Sequence, residues 1–195
     1  DEIYEHINFC GGHQSFAQFE GMKDRVITIN GVSKGFAMTG WRGGIMAAPK
    51  WIAQACDKMQ GQFTSATSSI TQKAMHKAMT LDYETYIRPM RDAFLKRRDL
   101  VHGLMKNIPG FKTNLPQGAF YFYPEVSYYF GKKYGEHHIQ NATDLSLFLL
   151  DVAHVALVPG AAFGDDHYIR FSYATSEANL TEALKRMTEA LSKLQ

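Results

Sequence analysis

Lys34 and Arg42 stand eight residues apart in the run Asn30-Gly-Val-Ser-Lys34-Gly-Phe-Ala-Met-Thr39-Gly40-Trp41-Arg42-Gly43-Gly44. An amine held partly out of water loses its proton more readily, and a neutral amine attacks a carbonyl to form a Schiff base. Arg42 cannot do that work, because a guanidinium stays charged; its planar fork instead suits a phosphate or a carboxylate. The glycines on both sides of Arg42 allow close backbone approach. Together the two side chains call for a ligand that is anionic and electrophilic. A Lys and an Arg at this spacing are more often solvated surface charges, so the surrounding elements must decide.

The residues before Lys34, Arg25-Val26-Ile27-Thr28-Ile29-Asn30, form an apolar, β-branched run closed by Asn-Gly. They predict a buried strand over residues 26–30 that runs into a turn and delivers Lys34 to the strand end. A lysine there gains little from packing, so it either reaches back to water or is held for chemistry. Two further candidates lie at the ends of the chain. In Asp1-Glu-Ile-Tyr4-Glu-His-Ile7 a strand is expected over residues 2–6. Positions three apart on a strand point to opposite faces, so Asp1 and Tyr4 meet one ligand only if the chain turns. In Tyr168-Ile-Arg170-Phe-Ser-Tyr173-Ala-Thr-Ser176 the apolar Ile169, Phe171 and Tyr173 alternate with Arg170, Ser172 and Ala174. That pattern predicts a strand carrying one arginine on a mild face.

The pattern Ser33-Lys34-x5-Gly40-x-Arg42-x-Gly44 resembles the lysine motif of class I aminotransferases, pyridoxal-phosphate enzymes of the aspartate aminotransferase fold. The wording Thr39-Gly40-Trp41-Arg42 is similar to their prokaryotic branch, and Asp1-x-x-Tyr4 and the Arg170 strand resemble two more motifs of the family, in family order. The resemblance implies that Lys34 binds the cofactor covalently and that Arg42 holds its phosphate. It also implies that Asp1 pairs with the pyridinium nitrogen, Tyr4 hydrogen-bonds the ring hydroxyl, and Arg170 clamps the substrate's α-carboxylate. A carboxylate at the ring nitrogen keeps it protonated, which strengthens the cofactor as an electron sink. Residues 116–122 and 158–164 also look like the family's small-domain strand and a loop near the site, without a catalytic role. The chain departs from the family at Gly31, where a serine often precedes the lysine by three positions, while Ser33 stands directly before Lys34.

On this resemblance the fold is α/β. Residues 1–100 are expected to be the C-terminal portion of a fold-type I large domain (α/β/α), and residues 101–195 an α+β small domain, with the boundary inside a long helix. The chain is expected to be the C-terminal half of a longer cytoplasmic homodimeric enzyme. It would carry pyridoxal 5'-phosphate and exchange amino groups between an amino acid, with aspartate as the default, and a 2-oxo acid. The preceding half would supply further cofactor contacts. Two alternatives stay open: another pyridoxal-phosphate enzyme on the same scaffold, such as a lyase or synthase, and a non-catalytic aminotransferase-like sensor domain.

Composition agrees with a folded domain: 45% of the 195 residues are hydrophobic and 13% aromatic. The net charge of +2 and the lack of a long basic run argue against nucleic acid, since Lys96-Arg97-Arg98 falls within a helical pattern. No apolar stretch approaches the roughly 18 residues of a membrane span, and Cys10 and Cys56 do not suggest a disulfide scaffold. The histidines lack ligand spacing, so no metal is assigned. Helices are expected over residues 49–61, 69–79 and 82–106, with Pro89 kinking or starting the last. Strands are expected at 43–48, 111–113, 119–123, 155–158 and 168–173. Ser176 is expected to cap a final helix striped by Leu180, Leu184, Met187, Leu191 and Leu194.

Overall fold

In the computed structural model, which describes Asp1–Gln195 throughout, strands Thr28–Gly31 (β1) and Gly44–Ala47 (β2) pair antiparallel, with Thr28 opposite Ala47 and Gly31 opposite Gly44. The loop between them carries Lys34 and Arg42. Contacts along the chain divide it into two units, Asp1–Asp92 and Ala93–Gln195.

In the first unit, helices Lys50–Phe63 (α1), Ser69–Met79 (α2) and Tyr83–Tyr86 (α3) follow β2, and Arg88–Met105 (α4) begins there. The expected helix over residues 82–106 is therefore interrupted at Ile87. Pro89 has no amide proton to offer an earlier carbonyl, so it sits in the first turn of α4. Asp82 caps α3 by accepting the Thr85 amide at 2.8 Å. The strand expected over residues 2–6 is instead a pair of turns. Asp1 Oδ1 accepts the Ile3 amide at 3.1 Å, the Glu5 amide donates to the Glu2 carbonyl at 2.9 Å, and that of Ile7 to the Tyr4 carbonyl at 2.8 Å. The Asp side chain offers the backbone a local acceptor, which favours the turn over the ladder.

The second unit holds a three-stranded antiparallel sheet in the order β3, β7, β6, formed by Tyr121–Phe122 (β3), Val158–Pro159 (β6) and Ile169–Ser172 (β7). Ile169 and Phe171 are buried while Arg170 and Ser172 face outward, as the alternation predicts. Helices Ala142–Ala153 (α5) and Glu177–Leu191 (α6) pack together. Ser176 caps α6 through the Asn179 amide at 3.2 Å, and all five residues of the expected stripe are buried. Each such leucine contributes on the order of 1.5–3 kcal/mol by leaving water. Tyr173 lies in this core with its hydroxyl donated to the Ala119 carbonyl at 3.0 Å, and burial pushes its ionisation far up.

The strands of this unit depart from expectation in several places, and that expected over 119–123 is cut to Tyr121–Phe122, with Ala119 at φ 57° turning the chain before it. The strand predicted over 155–158 starts only at Val158, because α5 ends with His154 at φ 54° and the Val155 amide still bonds back to the Leu149 carbonyl at 3.1 Å. Residues 111–113 supply a single bridge, Lys112 to Glu125. A hairpin of Lys133–Tyr134 (β4) and His137–His138 (β5) was not expected; Gly135 at φ 56° makes its turn. No helix is long and apolar enough to cross a membrane.

Candidate active site

Lys34 leaves β1 on a loop that closes on itself, with the Ala37 amide donating to the Lys34 carbonyl at 3.1 Å and that of Met38 to the Val32 carbonyl at 3.3 Å. Val32 is buried with Met75 and Ala78 of α2, and Phe36 and Met38 pack against them, so an apolar plug fixes the loop from beneath. The half-buried Lys34 projects its Nζ over the ring of Tyr4, 6.0 Å from the centroid.

Backbone and side-chain crossings create that meeting. The Glu2 amide donates to the Ile29 carbonyl at 2.7 Å, and Asn30 Nδ2 donates to Glu5 Oε1 at 2.8 Å, tying the N-terminal turns to β1. A Cβ on Gly35 would come within 2.7 Å of His6 Cδ2, so glycine beside Lys34 lets the His6 ring lie against the loop. The His6 ring meets Phe36 edge-on at 5.2 Å and Tyr83 at 5.9 Å. A Cβ on Gly31 would stand 2.9 Å from the Gly43 carbonyl oxygen and 3.3 Å from Ile3 Cδ1. The tight crossing explains glycine at that position.

Arg42 follows the short 3-10 helix Thr39–Trp41 in the left-handed region, at φ 52°, and its Nη1 donates to the Thr39 carbonyl at 2.8 Å. Helix α2 fixes this corner too: Thr71 Oγ1 donates to the Trp41 carbonyl at 3.1 Å, and Gly43 lies so close to Met75 that a Cβ would collide with its sulfur. Asp1 is exposed and occupies the turn that carries Tyr4. The structure thus brings Lys34 to Tyr4, with Asp1 on the same turn as Tyr4 and Arg42 on the same loop as Lys34.

Arg170 belongs to the second unit, where it stands on the outward face of β7, directly opposite Val158. Its guanidinium carbon lies 4.6 Å from the Tyr121 ring centroid and 4.8 Å from that of Phe163.

Sequence reading missed His6, Glu5 and Gly35, whose importance comes from contacts across the loop and not from their types. It also assigned no metal. Glu2, Glu5 and His13 do gather one ligand atom each within 4.8 Å of one another, and in this structure they serve as partners: His13 pairs with Glu2 at 3.3 Å, and Glu5 accepts from Asn30.

A profile of the family "Aminotransferase class I and II" matches residues 1–187. A bifunctional aspartate aminotransferase and glutamate/aspartate-prephenate aminotransferase of Petunia hybrida is 48% identical over 98% of the chain and 41% of its own length. The crystal structure of an aspartate aminotransferase from Rhizobium meliloti superposes with a TM-score of 0.93 at 40% identity, over 100% of this chain and 49% of that one. An aromatic aminotransferase from Pyrococcus horikoshii does so with a TM-score of 0.88 at 37% identity, over 98% and 50%. The chain spans about half the length of the relatives it matches. Its α/β fold is that of these aminotransferases, and the chain belongs to the class I and II aminotransferase family.

Proposed function

We propose that the full-length protein is a pyridoxal-phosphate-dependent aminotransferase that moves an amino group from an L-amino acid, with aspartate the first candidate, to a 2-oxo acid such as 2-oxoglutarate. The observation that carries this reading is the Lys34 amine held over the Tyr4 ring, on a loop that also bears Arg42. An amine, a phenol, a carboxylate and a guanidinium form a donor set that suits a phosphorylated pyridine aldehyde. When bound, that group supplies an electron sink for charge developing at the substrate's Cα.

In this reading Lys34 anchors the cofactor and, once released by substrate, takes the proton from Cα and returns it. Tyr4 donates its hydroxyl hydrogen bond to the ring oxygen, Asp1 keeps the ring nitrogen protonated, and Arg42 forks onto the phosphate. Arg170 binds the α-carboxylate and so orients the bond to be broken. The names of the matched relatives, among them aspartate aminotransferases, support the substrate class. We also propose a cytoplasmic homodimer. Its free, exposed Cys10 and Cys56 suit a reducing compartment, and sedimentation of the full-length protein tests the dimer.

The test is turnover by the full-length gene product supplied with pyridoxal phosphate. L-aspartate and 2-oxoglutarate are expected to yield oxaloacetate and L-glutamate, and Lys34→Ala to abolish the reaction. A Lys34→Ala protein that still exchanged amino groups would overturn the assignment of Lys34. A wild type that consumed the amino acid without making L-glutamate would point to a lyase or synthase.

A further inference from the structure

We infer that Tyr121 and Phe163 are positioning residues for Arg170: their ring faces hold its guanidinium, leaving its N–H edges free to receive a carboxylate. The inference rests on the proposed role of Arg170 as carboxylate clamp.

Strand register brings the first ring into place. Tyr121 pairs with Ser172, and Arg170 is two residues back on the same face of β7, so Tyr121 is its diagonal neighbour. The partner of Phe122 is the buried Phe171, which puts that pair on the core face and leaves Tyr121 and Arg170 together on the other. The second ring comes from β6. Val158 lies opposite Arg170, and the chain then folds into the 3-10 helix Gly160–Phe163, which places Phe163 against the guanidinium at 4.8 Å.

That return is rigidly built. The Gly160 amide donates to the Tyr168 carbonyl at 2.7 Å, and the Gly160 carbonyl accepts from the Asp165 amide at 3.1 Å and from the Tyr123 hydroxyl at 3.3 Å. A Cβ on Gly160 would sit 2.5 Å from the Tyr168 carbonyl oxygen, so only glycine fits. Tyr123 also meets Phe163 edge-on, with centroids 6.0 Å apart. Phe163 is nonetheless 51% exposed. A ring so fixed and so open gains little from burial, and its contact with Arg170 gives it a purpose.

A carboxylate partner would hold an arginine equally still, at the cost of its hydrogen-bond donors. Arg170 takes part in none of the chain's ion pairs, and the contacts recorded for its guanidinium are the two rings. Aromatic faces attract the cation through the ring quadrupole and restrict its rotamers while consuming no N–H. A side chain ordered before binding loses less freedom when substrate arrives.

The experiment is steady-state kinetics of the full-length enzyme with its cofactor and varied L-aspartate. Tyr121→Leu and Phe163→Leu are each expected to raise KM roughly three- to tenfold, with kcat within about twofold and cofactor absorbance unchanged. Tyr121→Phe, which keeps the ring, is expected to behave as wild type. In an Arg170→Leu background, Phe163→Leu should have no further effect, because the ring acts through the guanidinium. Wild-type KM in both leucine variants, beside a large loss in Arg170→Leu, would overturn the positioning role alone. An unchanged KM in Arg170→Leu would overturn the clamp itself. If Tyr121→Leu does not fold, the half-exposed Phe163 still decides through its coupling to Arg170.

Discussion

The Lys34 amine stands over the Tyr4 ring, 6.0 Å from its centroid, although the two are thirty positions apart in the chain. Neither residue dictates that distance. It follows from how the N-terminal turns dock on the end of β1, through the Glu2 amide on the Ile29 carbonyl, the Asn30 amide group on Glu5, and His6 lying in the space left by Gly35. Substitutions at the docking contacts should therefore affect the site without touching its reactive groups.

Gly35→Ala tests this most directly. The added Cβ would stand 2.7 Å from His6 Cδ2, and the ring is already enclosed by Phe36 and Tyr83. Overpacking of this kind costs about 1–3 kcal/mol. The variant should unfold at lower denaturant and retain pyridoxal phosphate less well, and adding His6→Ala should recover part of both losses. A Gly35→Ala protein as stable as wild type would show that the His6 contact does not hold the loop.

Met75→Ala probes the loop from beneath. Met75 is buried against Val32 and abuts Gly43, so one helical side chain supports both the Lys34 and the Arg42 ends. Truncation leaves a cavity worth roughly 2–5 kcal/mol. In hydrogen exchange, the Met38 amide, which closes the loop on the Val32 carbonyl, should lose protection more than amides in α6. Equal loss in both places would mean that Met75 supports the fold generally and not this loop.

Arg42 carries a backbone cost as well as a charge. A side chain at φ 52° is strained by on the order of 1–2 kcal/mol, which glycine would relieve. Arg42→Gly should therefore raise the melting temperature of the cofactor-free protein while weakening retention of pyridoxal phosphate. Arg42→Lys should keep the strain and lose the fork. If Arg42→Gly lowered stability, the guanidinium contact to the Thr39 carbonyl would outweigh the strain, and if it left retention of pyridoxal phosphate unchanged the phosphate role would be overturned.

Much of this arrangement was legible from residue order, and what was not has identifiable causes. Helix α2 was readable to its ends because apolar spacing acts locally, and the cap Ser176 and the stripe made α6 readable for the same reason. The types and spacing of Lys34, Arg42 and Arg170 were equally readable. The turns at residues 3–6 were mistaken for a strand because the short run of Ile3, Tyr4 and Ile7 fits more than one local structure, while the Asp1 side chain captures the backbone into a turn. Tyr121 and Phe163 were invisible as neighbours of Arg170 because only the β3–β7 and β6–β7 registers bring them there. Register is a property of pairing, and single-chain periodicity does not encode it.

The second unit offers a pH test away from the site. Glu125 accepts the Lys112 ammonium at 2.6 Å and also the Ser127 hydroxyl and amide, and these bonds, that of Lys112 foremost, hold its carboxyl below the usual range. In the unfolded chain the same carboxyl takes up a proton near pH 4.5, its ordinary value, while in the fold it does so only at lower pH. Its contribution to stability is therefore complete above that pH and fades as the solution is acidified through the folded value. Glu125→Gln should melt below wild type at pH 7, and the gap should narrow as the pH falls below 4.5 or under high salt, since Lys112 is largely exposed. A gap that stayed constant while the pH was lowered from 7 to well below 4.5 would show that the glutamate stabilises the Lys112–Glu125 bridge by packing or neutral hydrogen bonding and not by its charge.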